Sequence, residues 1–316
     1  MKIQTICVLG GSGFVGRHLV NRLTRDGYAV RVPTRRRERH RGMLVNPRVN
    51  LVEADINDPG SLKAQLDGCQ AVVNLVGILN ESRAGGFRRA HVELAAQMVE
   101  TARAQGVERL LHMSALNADP AETGSRYLQT KGEAEDAVHA AAGLSVTSYR
   151  PSVIFGPDDS FFNRFAQLLR LSPGLFPLAC PEARFAPVYV SDVAEAFARA
   201  LQDAATVGQR YELCGPHSYT LQALVEYTAR TVGLKRWVVP LGDGLSRLQA
   251  RVLEKVPGKP FSMDNYYSLQ KDSVCTADGL ARLGITASAV EAVVPQYLGQ
   301  RATRARYSDW RRLAGR

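Results

Sequence analysis

Two tyrosines stand four residues ahead of a lysine: Tyr127 before Lys131 in YLQTK, and Tyr267 before Lys271 in YSLQK. On a helix, residues at this spacing share one face. A lysine so placed can hydrogen-bond a ribose and lower the phenol pKa by its charge. The tyrosine is then fit to exchange a proton with a substrate hydroxyl or carbonyl. With 11 Tyr and 7 Lys in 316 residues, chance can produce such a pair, so spacing alone selects neither. The surrounding elements must decide.

Those elements alternate. Strand-length apolar runs (TICVLG, YAVRVPT, VNLVEAD, AVVNLVG, ERLLHMSA, LSVTSYRPS) are separated by helical stretches such as FVGRHLVNRLTRDG and FRRAHVELAAQMVETARAQG. Near-continuous apolar strands between amphipathic helices are what a parallel sheet covered on both faces requires. Right-handed crossovers then wind it doubly. The expectation is an α/β fold. A doubly wound Rossmann sheet occupies residues 1–155, further strands come from 180–215, and a smaller, mostly helical lobe with a basic tail spans 156–316.

At the first strand–helix junction, VLGGSGFVGRHLV places Gly10, Gly13 and Gly16 three residues apart. Without side chains the chain can turn tightly and admit a diphosphate to the backbone N–H groups of Ser12, Gly13, Phe14 and Val15 at the helix start. The second strand ends VPTRRRERH, with Thr34, Arg35 and Arg36 and no carboxylate before Glu38. An acid there would take the ribose hydroxyls of NAD, whereas a hydroxyl and guanidinium groups suit a 2′-phosphate. The pattern favours NADP(H), with NAD(H) as the alternative.

With these landmarks in order, the chain resembles a short-chain dehydrogenase/reductase of the extended or atypical extended kind. The resemblance implies that Asp55 and Ile56 in EADIND flank the adenine. It sets Val76 and Gly77 in NLVG beneath the cofactor, and Pro151 and Val153 in RPSVIFGP on the nicotinamide side. Asp192 in PVYVSDVAEAF matches a later motif. Tyr127–Lys131 falls between the fifth and sixth strands, where the family carries its catalytic YxxxK pair, and Tyr267–Lys271 lies far beyond the sheet. The family's catalytic Ser or Thr is missing: its position in HMSALNA is Leu116, and Ser114 comes too early. Loss of such a donor costs about 2–4 kcal/mol of transition-state stabilisation, by analogy with an oxyanion-hole donor.

Within the family, VLGGSGFVGRHLV, HMSALNADP, SRYLQTKGEAE and RPSVIFGPDDSFFNRF are similar to the atypical group that contains the NADPH-binding accessory subunit of respiratory complex I and its bacterial relatives. Some of these are tied to ubiquinone biosynthesis. Two functions follow from the resemblance. One is a cofactor-binding accessory or regulatory protein of the respiratory chain or quinone metabolism, with residual redox activity. The other is an active NADP-dependent oxidoreductase or nucleotide-sugar epimerase/dehydratase using Tyr127 and Lys131. A hydrophobic or quinone-like small molecule is the expected ligand beside the dinucleotide.

Bulk properties narrow the setting. The five cysteines are scattered without a CxxC pair. This argues against a disulfide framework and a metal site, and for a reducing cytoplasm. No run of 18 uncharged apolar residues occurs, so no membrane-spanning helix is expected. The first apolar segment lacks the marks of a signal or transit peptide. The net charge of +10 gathers in RRRERHR at 35–41 and in the tail 301–316. No nucleic-acid-binding signature accompanies either cluster, and no nucleic-acid partner is expected. Phe161, Phe162 and Phe165 read first as core, and as an apolar pocket second. In GLSRLQARVLEKVPGKP, Leu245, Leu248, Val252 and Val256 share a helix face. A solvated helix packed on the lobe is the plainer expectation. Together with Tyr307, Trp310 and Leu313 of the tail, it is also fit to lie on the inner face of an anionic membrane or against a respiratory complex.

Overall fold

The computed structural model describes residues 3–81, 84–257 and 259–299. The basic tail and its Tyr307, Trp310 and Leu313 lie outside them. Two compact units emerge. The first comprises the chain up to Pro151, Ser191–Leu213 and Ala277–Ile285. The second comprises the described residues of Ser152–Val190, Cys214–Thr276 and 286–299. Residues 152–155, expected with the sheet, belong to the second unit, and the late segment 277–285 returns to the first.

The first unit is built on strands β1 (Thr5–Leu9), β2 (Ala29–Thr34), β3 (Val49–Glu53), β4 (Ala71–Asn74), β5 (Arg109–Met113) and β6 (Ser145–Pro151). They lie in the order β3-β2-β1-β4-β5-β6, and Arg210–Leu213 adds a seventh strand beyond β6. Every pairing is parallel. Each residue of β4 and β5 is buried, as continuous apolar strands demand when helices cover both faces.

Helices α1 (Phe14–Arg25) and α2 (Pro59–Leu66) follow β1 and β3. Helix α3 runs over 86–104, with a π-helical turn at Arg89–Glu93 in its course, and α4 spans Arg126–His139. One face of the sheet packs Leu9, Val72 and Leu110 against Leu62 and Leu66 of α2, Met98 of α3 and Val138 of α4. Each such fully buried leucine contributes about 1.5–3 kcal/mol. Because β1 connects to β2 on one side and borders β4 on the other, a crevice opens at the carboxyl ends of β1 and β4. Open α/β sheets bind ligands at this switch point.

The start of α4 is pinned twice. Ser125 caps it by accepting from the Leu128 N–H. At Gly132 a Cβ would fall 2.4 Å from the Pro120 backbone nitrogen, so only glycine lets the helix approach that loop.

The second unit pairs Leu175–Leu178 with Trp237–Pro240 in parallel, and Arg184–Phe185 with Tyr219–Thr220 in antiparallel fashion. Its helices include Phe162–Leu171, Leu221–Thr231 and Asp243–Leu253. Phe162 is fully buried, Phe161 packs against both cores of this unit and Phe165 against one of them; these aromatics serve the core. The cysteine expectation is corrected here. Cys214 and Cys275 form a disulfide, while Cys7, Cys69 and Cys180 are free. The two partners are 61 residues apart, and their scattered spacing said nothing about which chain segments fold together. Among the described residues, no helix is long and apolar enough to cross a membrane.

Candidate functional site

The turn after β1 is closed by its own backbone: Gly11 N–H donates to Val8 O at 3.1 Å and Gly13 N–H to Gly10 O at 3.0 Å. Gly10 has φ +78°, and a Cβ there would press on the Leu75 and Val76 backbone at 3.2–3.3 Å. A Cβ on Gly16 would lie 2.3 Å from Gly10 O. These glycines therefore serve the turn, its approach to the loop after β4, and the packing of α1 on both. Gly13 is the N-cap of α1, with no side-chain cap and no acid in the first turn. The first N–H groups of a helix lack intrahelical acceptors, and here Phe14 and Val15 carry two of them. A backbone cradle with no room for side chains fits a diphosphate.

At the end of β2, Thr34 is buried, and its Oγ1 accepts from Ser12 Oγ at 3.4 Å and from Arg36 N–H at 3.5 Å. The Arg35 and Arg36 side chains are exposed. Arg17, in the first turns of α1, donates to Ser12 O at 3.4 Å. Burial, and then the charges of Arg17 and Arg39, hold His40 below the ordinary histidine range. Arg17 is thus part of the basic corner, although its type and spacing had not singled it out. The carboxylates nearby are engaged locally. Glu53 accepts from Arg37 N–H at 3.4 Å. Asp55 accepts from the Asn57 backbone at 3.0 Å and side chain at 2.7 Å, and these bonds hold it below the usual carboxylate range. Ile56 packs against the sheet core.

On α4, Tyr127 is half-buried and Lys131 is buried. Lys131 Nζ donates to Met113 O at the end of β5 (2.9 Å). Burial lowers its pKa to about 8, against the opposing pull of Glu135. Above it lies Gly77, which is exposed. A Cβ at position 77 would sit 3.2 Å from Lys131 Nζ and 3.7 Å from His91 Nε2. Gly77 thus lets the chain pass close over the buried ammonium, where a side chain would press on it. The second pair differs: the helix holding Tyr267 ends at Ser268, so Tyr267 and Lys271 do not share a helical face.

Ser114 is spent elsewhere. Its hydroxyl donates to Glu135 at 3.0 Å, and Arg150 donates to the same carboxylate at 2.8 and 3.1 Å. Leu116 is buried, with its N–H on Pro151 O at 3.1 Å. No oxygen donor stands at that position. Asp192 is buried in the first turn of Val190–Ala200. Val153 belongs to the second unit, where its carbonyl accepts from Val188 N–H at 3.0 Å.

The structure adds His91, which sequence reasoning passed over as one polar residue in a helical stretch. The π turn of α3 carries it inward. Its Nε2 accepts from Ile78 N–H at 3.2 Å, so Nδ1 bears the proton and donates to Thr130 Oγ1 at 2.9 Å. The ring stands edge-on to Tyr127, with centroids 5.7 Å apart. Burial and the Lys131 charge push its pKa down to about 3, which keeps the imidazole neutral. His91 thus ties the loop after β4 to the helix bearing Tyr127 and Lys131. π turns occur often at functional sites, but nothing in local composition reveals one. Beneath it, Asn74 Oδ1 accepts from Val76 N–H at 3.1 Å, and its amide meets His112 Nδ1 at 3.3 Å.

A parallel switch-point crevice, a glycine cradle and a Tyr–Lys pair on one helix define a short-chain dehydrogenase/reductase fold with a dinucleotide-shaped site. The sequence model of the NAD dependent epimerase/dehydratase family matches residues 6–214, and the chain belongs to that family. It is 29% identical, over 80% of its own length, to the mitochondrial NADH-ubiquinone oxidoreductase 40 kDa subunit of Neurospora crassa, of which the match spans 66%. It is 33% identical to the ceramide reductase of Caulobacter vibrioides, over 60% of this chain and 58% of that one. The chain therefore spans somewhat under two thirds of these relatives. Among solved structures, a DesIV double mutant (dTDP-glucose 4,6-dehydratase) from Streptomyces venezuelae with NAD bound superposes with a TM-score of 0.72. That match covers 99% of this chain and 100% of that one at 22% identity, a likeness of fold.

Proposed function

We propose that the chain is an NADP(H)-binding accessory or regulatory protein of the respiratory chain or of quinone metabolism, with residual redox capacity. The observation that carries this reading is the pairing of an intact cradle with an incomplete catalytic set. The close approach of position 77 to Lys131 Nζ supports a ribose site there, and the buried Leu116, read as standing at the family's hydroxyl position, supports an incomplete set. Likeness to the fungal NADH-ubiquinone oxidoreductase subunit supports the respiratory setting.

In this reading Gly10, Ser12, Gly13, Phe14, Val15 and Gly16 hold the diphosphate, and Asp55 and Ile56 border the adenine. Thr34, Arg35 and Arg36, joined by Arg17, take the 2′-phosphate. Val76, Gly77 and Lys131 underlie the nicotinamide ribose, with Pro151 on the nicotinamide side; Val153 is assigned there from sequence alone. The bound dinucleotide supplies a hydride donor or acceptor. Tyr127 holds or gives the proton, and Lys131 orients the ribose. A second reading, an active reductase of a hydrophobic substrate, is favoured by the retained Tyr127–Lys131 pair and by likeness to a ceramide reductase.

Separate titrations with NADPH and NADH test the cofactor assignment, and equal affinity for both would sink it. Arg35→Ala with Arg36→Ala should weaken NADPH selectively. Each charged hydrogen bond lost is worth about 1.5–3 kcal/mol, or one to two decades in affinity.

A further inference from the structure

The helix Asp243–Leu253 turns its apolar stripe outward. Leu245, Leu248 and Val252 are 57%, 55% and 55% exposed, although their spacing gives them one common face. What the helix buries is small: Ser246 and Ala250. The helix packs on its own unit through these two residues, and its apolar stripe is left to solvent.

The neighbouring ribbon is apolar on both sides. Leu178 and Val238 enter the core with Phe176 packed beside them. On the opposite side Trp237 pairs with Leu175, and Val239 with Pro177. Trp237 is 77% exposed and Leu175 59%. Helix and ribbon are joined: Gln249 Nε2 donates to Pro177 O at 3.2 Å, and Cys180 N–H donates to Ser246 Oγ at 3.2 Å. Two exposed apolar rows thus lie on elements tied directly to each other, and exposed apolar patches are seldom left uncovered by monomers.

Charge indicates what covers it. Arg247 and Arg251 lie on the helix and Lys255 just beyond it, Lys235 precedes Trp237 closely, and Arg170 stands near the end of the helix before Leu175, against Asp243 and Glu254. Asp243 is already paired with Arg247 at 3.1 Å. A second copy docked by two-fold symmetry would bring this basic rim against itself. An anionic bilayer offers both complements: phosphates for the rim, and an apolar boundary for an indole and leucines.

We propose that this face lies on the surface of an anionic lipid bilayer, with Trp237 and Leu248 at the acyl boundary and the flanking Arg and Lys residues on the headgroup phosphates. The inference rests on the respiratory reading only for its setting. Its test uses no dinucleotide, so either can fail without the other.

The test is vesicle flotation of the full chain, with phosphatidylcholine alone and with about a third phosphatidylglycerol. Binding is expected to the anionic vesicles only, and to fall steeply with added salt. Trp310→Phe leaves Trp237 as the single tryptophan, since the chain has two, and its emission should shift to the blue on those vesicles. Trp237→Ser with Leu248→Gln should lower the bound fraction at least tenfold while the thermal midpoint stays at the parent value, because both side chains face solvent. Parent-like binding by the double variant overturns the proposal, as does equal binding to neutral vesicles. A parent that ignores vesicles also overturns it. In that case, concentration-dependent dimerisation lost in the double variant would assign the face to a second copy. Loss of co-elution with a purified NADH-oxidising complex would assign it to a protein.

Discussion

Lys131 is the residue on which the site's chemistry turns. Its pKa of about 8 lies below the lysine reference of 10.5 because burial disfavours the ammonium. At pH 7 the ammonium is present; above pH 8 it is progressively lost. NADPH affinity should therefore weaken between pH 7 and 9, and Lys131→Met should bind weakly with that pH dependence flattened. Tyr127→Phe removes only a hydroxyl and keeps the ring contacts with Phe87 and His91. It should leave NADPH affinity within a few-fold and abolish any turnover. Fluorescence titration of the three proteins across pH reads both effects. A Tyr127→Phe strain that assembles its respiratory complex normally but lacks a metabolite would favour the reductase reading over the accessory one.

At the scale of elements, the site is three loops and one helix held at fixed separations. Gly16→Ala should destabilise the first unit by about 3 kcal/mol, the upper end for overpacking, because its Cβ has nowhere to go beside Gly10 O. Gly77→Val should behave differently. Position 77 is exposed, so the fold should survive, but the side chain would cover Lys131 Nζ and cut dinucleotide affinity at least tenfold. Denaturant midpoints and NADPH titrations on the two variants separate stability from binding. The glycine turn and the Tyr–Lys helix were both legible in the sequence, since backbone approach and i,i+4 pairing leave a local pattern. The clamp of His91 on Ile78 N–H was not, because a π turn changes which helix face a residue occupies without marking the sequence.

Over the whole molecule, buried neutral histidines set the acid limit. His91 and His112 are buried, and both have pKa values depressed below 6.5, His91 to about 3. Below pH 6.5 the unfolded chain takes up protons that the native state refuses, so stability is full above that value and falls as the pH drops towards 3. Between pH 7 and 5 His91 should cost about 2 kcal/mol, and His112 adds to the loss in the same direction. Urea unfolding at the two pH values measures the loss, and His91→Asn should reduce it by about one histidine's share. An unchanged loss in that variant would remove His91 from the account.

By itself, the sequence determined the alternation of apolar strands and amphipathic helices and the glycine-rich first turn, and it carried the readings of Tyr127–Lys131 as the proton-transfer pair and of Leu116 at the place of a hydroxyl. Each of these is a local pattern or a position within an ordered series. Only the tertiary structure decided that Cys214 meets Cys275 and that Ser114 serves Glu135. Only there does Arg17 join the basic corner, and only there does the stripe of Asp243–Leu253 face solvent. Periodicity says that a helix has an apolar face, but which surface that face meets depends on how segments far apart in the chain pack. That packing is settled by volume and burial across the whole fold, and no short stretch of residues encodes it.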